Sequence, residues 1–313
     1  MTKPLILSIG EAMVELSQTG QPDQWRLGIA GDTLNTAWYL RRLLGTNWQV
    51  GYMSRVGQGD FSQRMLDFLT NEGIDATHVS RDPAREIGLY AISLKNGERS
   101  FSYWRDTSAA KALADDPARL HGALAGCKIA YLSGITIAIL APAARETLWT
   151  ALQDARSTGT QIIFDPNLRP RLWDSATTMR DSIEATAALA DLVLPSFDDE
   201  ATHFGDTDMQ ATIARYLSLG AGHVVVKNGG GPMCFGGADG HGDITDLVPE
   251  TPVDTTSAGD SFNAGYLAAW LNGADCTTAI RAGHALSREV IGHRGALVPQ
   301  ALAAIAAQQK PDT

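Results

Sequence analysis

The sequence is poor in cysteine and has more acidic than basic side chains. Only three cysteines occur among 313 residues, and no two of them are spaced as C-x-x-C. A sparse and odd number of cysteines argues against a disulfide framework and suits a reducing compartment, so we expect a cytoplasmic protein. The formal charge of −10 argues against a general role in nucleic-acid binding, because phosphate backbones attract basic surfaces.

No apolar stretch has the length of a membrane span or of a signal peptide. The most apolar one, residues 129–141, is interrupted by Ser133 and Gly134 and closed by Pro142. The apolar part of the N-terminal segment is too short for a signal peptide. We therefore expect no membrane partner.

Several catalytic signatures are missing as well. The chain contains neither the G-x-x-x-x-G-K-[ST] motif of P-loop proteins nor the H-E-x-x-H motif of metalloproteases. The segment 57–62 lacks the third glycine of a dinucleotide fingerprint, which disfavours a dehydrogenase. The glycine-rich run 236–243 lacks the spacing and the distal glutamate of an EF-hand, and we interpret it as a hairpin turn.

Short apolar runs alternate with longer helical patterns along the chain. Continuous apolar strands between helices predict an α/β fold, with a mostly parallel sheet that helices cover on both faces. In the first predicted helix, apolar residues recur at three- and four-residue steps, which predicts one buried face. These residues are Leu34, Ala37, Leu40 and Leu44. The predicted strands are 5–9, 50–56, 129–133, 162–165, 192–195 and 224–227. The predicted helices are 33–44, 61–71, 143–157, 209–218, 261–271 and 277–291.

One region breaks the alternation. Between residues 87 and 105 the pattern is strand, turn, strand, with Asn96 and Gly97 at the turn because both tolerate positive φ. A hairpin with aromatic and arginine side chains, inserted in an α/β chain, suggests a lid over the edge of the sheet. The alternative is an ordinary surface hairpin, and the pattern of this segment by itself favours that alternative.

The most informative segment is residues 254–262. The small residues Ser257, Ala258 and Gly259 precede a predicted helix and leave backbone N–H groups exposed, which favours a negative charge. A phosphoryl group in transfer carries such a charge. Asp260 beside these groups can accept a proton from an attacking hydroxyl. Alternatively, Asp260 is only the N-cap of the helix, a position at which aspartate is common. This segment alone does not favour either role, catalytic base or N-cap, over the other.

A second motif opens the first predicted helix. Gly31 allows the backbone to approach a ligand closely, while Asp32 and Asn35 offer polar groups at the helix start. A plain capping sequence looks the same, so the motif is weak by itself.

Two further motifs follow predicted strands. Asp165, Asn167 and Arg169 are expected to face a cleft, with Arg169 available to clamp phosphate or carboxylate; a loop salt bridge is the alternative. Lys227 and the glycines 229–231 follow another strand. Consecutive glycines let the backbone pass close to a nucleotide, but they also form tight turns, and without other evidence the turn is favoured.

Together these motifs resemble those of the ribokinase-like (PfkB-type) carbohydrate kinases over essentially the whole chain. The Gly31 motif is similar to the family's N-terminal signature, residues 165–169 to its central motif, and residues 254–260 to its C-terminal signature. Each match is modest alone, and the three in this order are a strong indication.

The resemblance implies a fold as well as a chemistry. It implies a single ribokinase-like α/β domain over residues 1–313, with a doubly wound, mostly parallel sheet flanked by helices. A small β-sheet lid has its strands inserted at about 11–30 and 87–107. The open edge of such a lid makes a homo-oligomer through the lid plausible.

Departures from the family pattern reduce the number of substrates to consider. Ala30 and Ser257 stand where the family has glycine, and these departures, with residues 103–105 and 165–173, are similar to those of the 2-dehydro-3-deoxygluconate (KDG) kinases. That branch implies ATP- and Mg²⁺-dependent phosphorylation of the C6 hydroxyl of KDG to 2-dehydro-3-deoxy-6-phosphogluconate. Another kinase of the family, acting on fructose, ribose or a different sugar acid, is the nearest alternative. A sugar-binding sensor without catalysis is less favoured, because Gly259 and Asp260 are intact.

The resemblance also implies roles for individual residues. The catalytic residues are Asp260, as the base, with Gly259, Ala258 and Ser257. The substrate-binding residues are Gly31, Asp32 and Asn35 at the hydroxyls and Tyr90, Tyr103, Arg105 and Arg169 at the acid end. The nucleotide-binding residues are Asn167, Ser196, Lys227, Gly229, Gly231 and Gly259. Either Asp199 or Glu200 orients the metal through water.

Overall fold

The computed structural model of the chain describes residues 3–19, 21, 23–95, 98–238 and 240–308. Its strands are β1 (Leu5–Ile9), β2 (Met13–Gln18), β3 (Trp25–Ala30), β4 (Gln49–Val56), β5 (Val79–Arg81), β6 (Leu89–Lys95), β7 (Glu98–Trp104), β8 (Cys127–Ser133), β9 (Gln161–Asp165), β10 (Leu192–Val193), β11 (His223–Val226), β12 (Met233–Gly237) and β13 (Gly240–Ile244). Its α-helices are α1 (Asp32–Leu43), α2 (Asp60–Asn71), α3 (Pro117–Leu124), α4 (Gly134–Ile139), α5 (Pro142–Ser157), α6 (Ala176–Ala187), α7 (Phe197–Phe204), α8 (Met209–Leu219), α9 (Ala258–Leu271), α10 (Cys276–Ile291) and α11 (Pro299–Gln308).

A nine-stranded sheet forms the centre of the protein. Its strand order is β13-β12-β11-β10-β9-β8-β1-β4-β5, and all pairs from β11 to β5 are parallel, whereas β12 and β13 add an antiparallel edge. The neighbouring β1 residues Ile6 and Leu7 belong to two separate apolar cores, as expected for a sheet that is covered on both faces. The predicted mostly parallel α/β fold is confirmed.

The strand order also marks where a ligand is expected. From β1 the chain proceeds through β4 to β5 on one side, and from β8 through β9 and β10 to β11 on the other. In open parallel sheets, ligands bind at the carboxyl ends of the strands near such a switch point. Asp165 ends β9, and Ser196 and Lys227 follow β10 and β11 at this edge.

A second, four-stranded sheet has the order β3-β2-β6-β7. Strands β2 and β6 run parallel, and the other two pairs are antiparallel. In the chain, β2 and β3 lie between β1 and α1, whereas β6 and β7 lie between β5 and a 3₁₀ turn at Ala109–Ala112. The predicted turn residues Asn96 and Gly97 lie outside the described residues.

One local prediction needs correction, and another is confirmed. Helix α1 is buried around its whole circumference over residues 33–40, because strands of the large sheet pack on one side and α9 on the other. The periodicity had predicted a single buried face. The run 236–243 forms a hairpin, as predicted: β12 and β13 pair antiparallel, with Gly237 opposite Gly240, while Asp239 is outside the described residues. Of the helices that the structure describes, none is both long and apolar enough to cross a bilayer.

Candidate active site

Helix α9 begins at Ala258, three residues earlier than predicted, so Asp260 lies in its first turn. Ser257 is the N-cap and adopts a left-handed conformation with φ of 65°. The Ala258 N–H donates to the Thr255 carbonyl at 3.2 Å, and the helical ladder starts with the Ser261 N–H bonding Ser257. The amides of Gly259 and Asp260 therefore lie at the end of the helix where N–H groups have no acceptor within the helix.

The Asp260 carboxyl group is buried and bound from another helix. Asn35 Nδ2 of α1 donates a hydrogen bond of 2.8 Å to Asp260 Oδ2. Burial raises the pKa of Asp260 to about 7, and the negative charge of Asp32 adds to the rise, while the Asn35 hydrogen bond opposes it. Asp260 is therefore not the N-cap of its helix, and its carboxyl can change protonation state near neutral pH.

The N-terminal and central motifs meet at Asp32. Its Oδ1 accepts a hydrogen bond from the Thr33 amide, and its Oδ2 accepts one from Asn167 Nδ2, both at 2.8 Å. Asp32 thus binds an amide in the first turn of α1 and also contacts the segment that follows β9. Beside it, a Cβ on Gly31 would lie 2.3 Å from the Glu11 carbonyl oxygen, so only glycine fits there.

A buried polar cluster lies beneath these residues. Lys227 Nζ donates to Asp165 Oδ2 at 3.0 Å and to Asn263 Oδ1 at 3.2 Å. Asn263 Nδ2 also donates to Asp165 Oδ2 at 2.6 Å. Asp165 is only 3% exposed, so its expected position facing a cleft is wrong. It is a buried partner of Lys227, and the cluster ties β9, β11 and α9 together.

Further hydrogen bonds connect this cluster to the backbone of Asp260. Asn263 Nδ2 donates to the Tyr131 hydroxyl at 2.9 Å. The Thr36 hydroxyl oxygen lies 3.2 Å from both the Tyr131 hydroxyl and the Asp260 carbonyl oxygen, and its one O–H can donate to either of them. The sequence reasoning missed Asn263, Tyr131 and Thr36. Only Asn263 carried a signal, because it lies about one helical turn after Asp260 and so on the same face of α9.

The residues predicted to bind nucleotide lie along β9, β10 and β11. Lys227 is buried, and a Cβ on Gly259 would lie 3.6 Å from its Nζ, so the ammonium lies beneath the first turn of α9. Ser196 is the N-cap of α7. Gly229 has φ of 53°, and the Gly231 N–H donates to the Asn228 carbonyl at 2.8 Å, so this segment is a tight turn.

The structure separates the two acids proposed for the metal. Glu200 is fully buried, accepts hydrogen bonds from Arg215 Nη2 at 2.7 Å and from the Tyr216 hydroxyl at 3.0 Å, and contacts α8. Burial raises the pKa of Glu200 to about 7. Asp199 is half-buried, and the charges that act on its carboxyl include those of Arg169 and Lys227. Asp199, not Glu200, therefore lies toward the strand ends.

Comparison with known proteins identifies the family. Residues 3–301 match the model of the pfkB family carbohydrate kinases. The chain belongs to this family. It is 38% identical over 303 residues to the 2-dehydro-3-deoxygluconokinase of Escherichia coli (strain K12), covering 94% of this chain and 97% of that one.

Solved structures support the same assignment of the fold. A PfkB protein from Polaromonas sp. JS666 is 30% identical with a TM-score of 0.80, covering 98% of this kinase and 100% of that chain. A fructokinase with bound ATP from Xylella fastidiosa is 21% identical with a TM-score of 0.81, covering 99% and 100% of the two chains. The protein is thus a carbohydrate kinase with the ribokinase-like α/β fold.

The small sheet of this kinase carries a pair of stacked tyrosines. Tyr90 and Tyr103 lie opposite each other on β6 and β7, and their rings stack with centroids 5.8 Å apart. Burial raises the pKa of Tyr90, and the charges of Glu15 and Asp260 contribute to this rise. The Tyr90 hydroxyl donates a hydrogen bond to Glu15 Oε2. Arg105 follows β7 and forms an ion pair with Glu11.

Arg169 lies after β9, four residues beyond Asp165. Its side chain is exposed, and Nη1 donates to the Leu168 carbonyl at 2.6 Å. No ion pair within 4.0 Å is formed by Arg169 in the part of the chain that the structure describes, and its charge acts on Asp199. The loop salt bridge considered from the sequence is therefore not the role that the structure gives it.

Proposed function

We propose that this kinase is a 2-dehydro-3-deoxygluconokinase, which transfers the γ-phosphoryl group of ATP to the C6 hydroxyl of KDG. The observation that carries the substrate assignment is Arg105, a cation directly after the strand that bears Tyr103, where a sugar acid needs a partner for its carboxylate. A neutral sugar has no group that requires this cation. The 38% identity to a relative of that name supports the proposal.

In the proposed reaction Asp260 is the catalytic base. Its carboxyl, with a pKa raised to about 7, accepts the proton of the attacking hydroxyl more readily than an exposed aspartate. Asn35 holds Oδ2 through its amide, which fixes the orientation of the carboxylate. The hydroxyl oxygen attacks the γ-phosphorus, and the bond to the leaving oxygen of ADP breaks.

In this proposal the first turn of α9 stabilises the negative charge on the phosphoryl group during its transfer. The amides of Gly259 and Asp260, with Ala258 and Ser257 forming the turn, offer N–H groups and the positive end of the helix dipole. The Lys227 ammonium beneath Gly259 adds positive charge from below. This charge is preorganised, because Asp165 and Asn263 hold Lys227 in place.

The sugar is proposed to lie between the two sheets. Gly31, Asp32 and Asn35 bind its hydroxyls from α1, while Tyr103, Arg105 and Arg169 bind its acid end. Tyr90 supports Tyr103 by stacking. In this proposal the strands at about 11–30 and 87–107 form a lid that excludes water from the γ-phosphoryl group.

The nucleotide is proposed to lie along the ends of β10 and β11. Ser196, Asn167 and the turn containing Gly229 and Gly231 line this side. Mg²⁺ is commonly held by one or two carboxylates, waters and phosphate oxygens, and the half-buried Asp199 fits such a site. When bound, Mg²⁺ neutralises charge on the phosphate oxygens.

A panel of acceptors tests the proposal. ADP release is measured with KDG, 2-ketogluconate, fructose, ribose and adenosine, and the phosphorylated carbon is located by NMR. We expect KDG to give the highest kcat/KM and the phosphate to be on C6. A higher kcat/KM with fructose or ribose would reject the substrate assignment, and no ADP release with any acceptor would support the sensor alternative.

A further inference from the structure

Three residues meet at the root of the small sheet. Glu11 lies in the connection between β1 of the large sheet and β2 of the small sheet. Gly88 precedes β6, and Arg105 follows β7, the edge strand. Leu89 of β6 pairs with β2 on one side and with β7 on the other, so all three residues lie near the same end of adjacent strands.

The contact among them is specific. Arg105 Nη2 donates a hydrogen bond to Glu11 Oε2. The Glu11 side chain is 1% exposed and that of Arg105 is 12% exposed, so the pair is withdrawn from water. A Cβ on Gly88 would lie 2.9 Å from Glu11 Oε1, which means that the missing side chain makes room for the carboxylate.

The backbone of Glu11 contacts the other end of the proposed sugar site. Its carbonyl oxygen occupies the space where a Cβ on Gly31 would lie. Glu11 thus touches the backbone at the hydroxyl-binding end and the guanidinium at the acid-binding end. It is also at the junction of the two sheets, where its position is fixed by both.

Stability does not explain why a carboxylate is kept here. A buried ion pair is often no better for stability than apolar side chains of similar volume, because both charges lose their hydration. Orientation is a better reason. An arginine side chain has many rotamers, and ordering it when a ligand binds costs conformational entropy. Glu11 accepts from one guanidinium nitrogen, and arginine has five N–H donors in a rigid plane.

We propose that Glu11 is a positioning residue for Arg105: it orders the guanidinium before the substrate arrives, so that the remaining N–H donors meet the carboxylate of the sugar acid. This inference rests on the proposed function for the identity of the ligand. The ordering itself is a property of the protein without ligand.

The ordering is tested first without any sugar. In ¹⁵N-labelled enzyme, the Nε–H signal of Arg105 is assigned by its loss in Arg105→Leu. We expect a sharp, slowly exchanging signal in the wild type and in Glu11→Gln, which keeps an oxygen acceptor, and a broadened or lost signal in Glu11→Ala. Asp154→Ala, which removes the acid of an exposed pair with His121, is the control and leaves the signal unchanged. An unchanged signal in Glu11→Ala overturns the proposal.

Kinetics test the consequence for the sugar acid. Glu11→Ala is expected to raise KM for KDG about tenfold, the factor that corresponds to 1.4 kcal/mol of lost ordering, with kcat and KM for ATP nearly unchanged. Glu11→Gln is expected to stay within about threefold of the wild type, since a neutral acceptor still holds the guanidinium. An equal loss in kcat and in KM for ATP would indicate a general structural defect and overturn the proposal.

A double-mutant cycle decides whether Glu11 acts through Arg105. In the Arg105→Leu background, Glu11→Ala should change KM for KDG by less than about twofold, because nothing is left to position. A tenfold effect in both backgrounds overturns the inference. If the wild type phosphorylates no sugar acid, the proposed function fails, and the Arg105 signal still decides whether Glu11 orders that side chain. Urea midpoints of all variants identify those that fold poorly.

Discussion

The two sheets hold their polar side chains in different ways. At the carboxyl ends of the large sheet, Asp165, Lys227 and Asn263 are almost completely buried, and each is hydrogen-bonded to the other two. On the small sheet, Tyr103 is 54% exposed and contacts its neighbours mainly by ring stacking.

This difference suggests a division of labour between the sheets. Groups that stabilise charge in transfer must be preorganised, and the buried cluster under α9 provides such rigidity. Groups that select among sugars must remain accessible to them, and the small sheet provides exposed aromatic side chains such as Tyr103. A change in the large sheet should therefore affect chemistry and stability, whereas a change in the small sheet should affect substrate affinity.

The largest effect is expected at Asp260. Asp260→Asn should lower kcat by about 10²- to 10⁴-fold, since the attacking hydroxyl loses its base. Binding of ATP and KDG, measured by calorimetry, should change little because asparagine has nearly the same shape. Asn35→Ala is the useful companion, because it removes the hydrogen bond to Asp260 and leaves the carboxylate. Near-normal turnover of Asp260→Asn would reject the base assignment.

The second prediction concerns the buried cluster. Lys227→Met keeps the length of the side chain but leaves Asp165 without its cation, and breaking a buried pair in this way costs about 3–5 kcal/mol of unfolding free energy. Urea unfolding measures this loss. The matched control is Arg281→Met, which breaks an exposed pair with Asp246 and should cost less than about 1 kcal/mol. Equal losses would contradict the proposed rigidity of the cluster.

Much of the large sheet could be predicted from the sequence. Strands such as β1 and β8 are short, continuous apolar runs, which is the pattern of a strand buried on both faces. Helix α1 shows what the hydrophobic periodicity could not predict. Its polar residues Thr33 and Thr36 are buried, because the Thr33 hydroxyl lies 3.0 Å from the Tyr52 hydroxyl of β4 and the Thr36 hydroxyl lies 3.2 Å from the Asp260 carbonyl oxygen of α9. No local pattern contains these tertiary contacts.

The site was predictable only in part. Asp32 and Asn167 are far apart in the chain, and their motifs were found, but their hydrogen bond depends on how β9 and α1 are placed. Glu11 was missed because a single acid after a strand has many possible roles. The choice between Asp199 and Glu200 required side-chain directions along one helical turn. These are properties of packing, which a single sequence does not show.

The third prediction uses pH to separate the two sheets. With the pKa of Asp260 at about 7, kcat/KM for KDG should fall about tenfold per pH unit below that value, because the base must be unprotonated. Arg105→Leu should lower kcat/KM at every pH and leave the midpoint of the profile unchanged. A midpoint near pH 4 would contradict the raised pKa.

The same raised pKa has a consequence for stability. The folded state holds the Asp260 proton more tightly than the unfolded state, so this group's contribution to stability is present at low pH and is lost as pH rises toward about 7. Asp260→Asn removes that dependence. The variant should therefore gain unfolding free energy relative to the wild type between pH 4 and pH 7, measured by urea titration. A constant difference across this range would contradict the burial argument.

The smallest effect is expected on the small sheet, and two adjacent residues of β7 make it a sharp test. Alternation along the strand places Tyr103 on the face of Tyr90 and Trp104 on the opposite face, and both side chains are largely exposed. Tyr103→Ala should raise KM for KDG about 2- to 12-fold, which corresponds to one ordinary hydrogen bond, with kcat and the urea midpoint nearly unchanged. Trp104→Ala removes a larger exposed ring and should leave KM unchanged. If both substitutions raise KM for KDG equally, the effect is a general disturbance of β7 and does not depend on which face of the strand the side chain occupies. The assignment of the Tyr103 face to substrate recognition then fails.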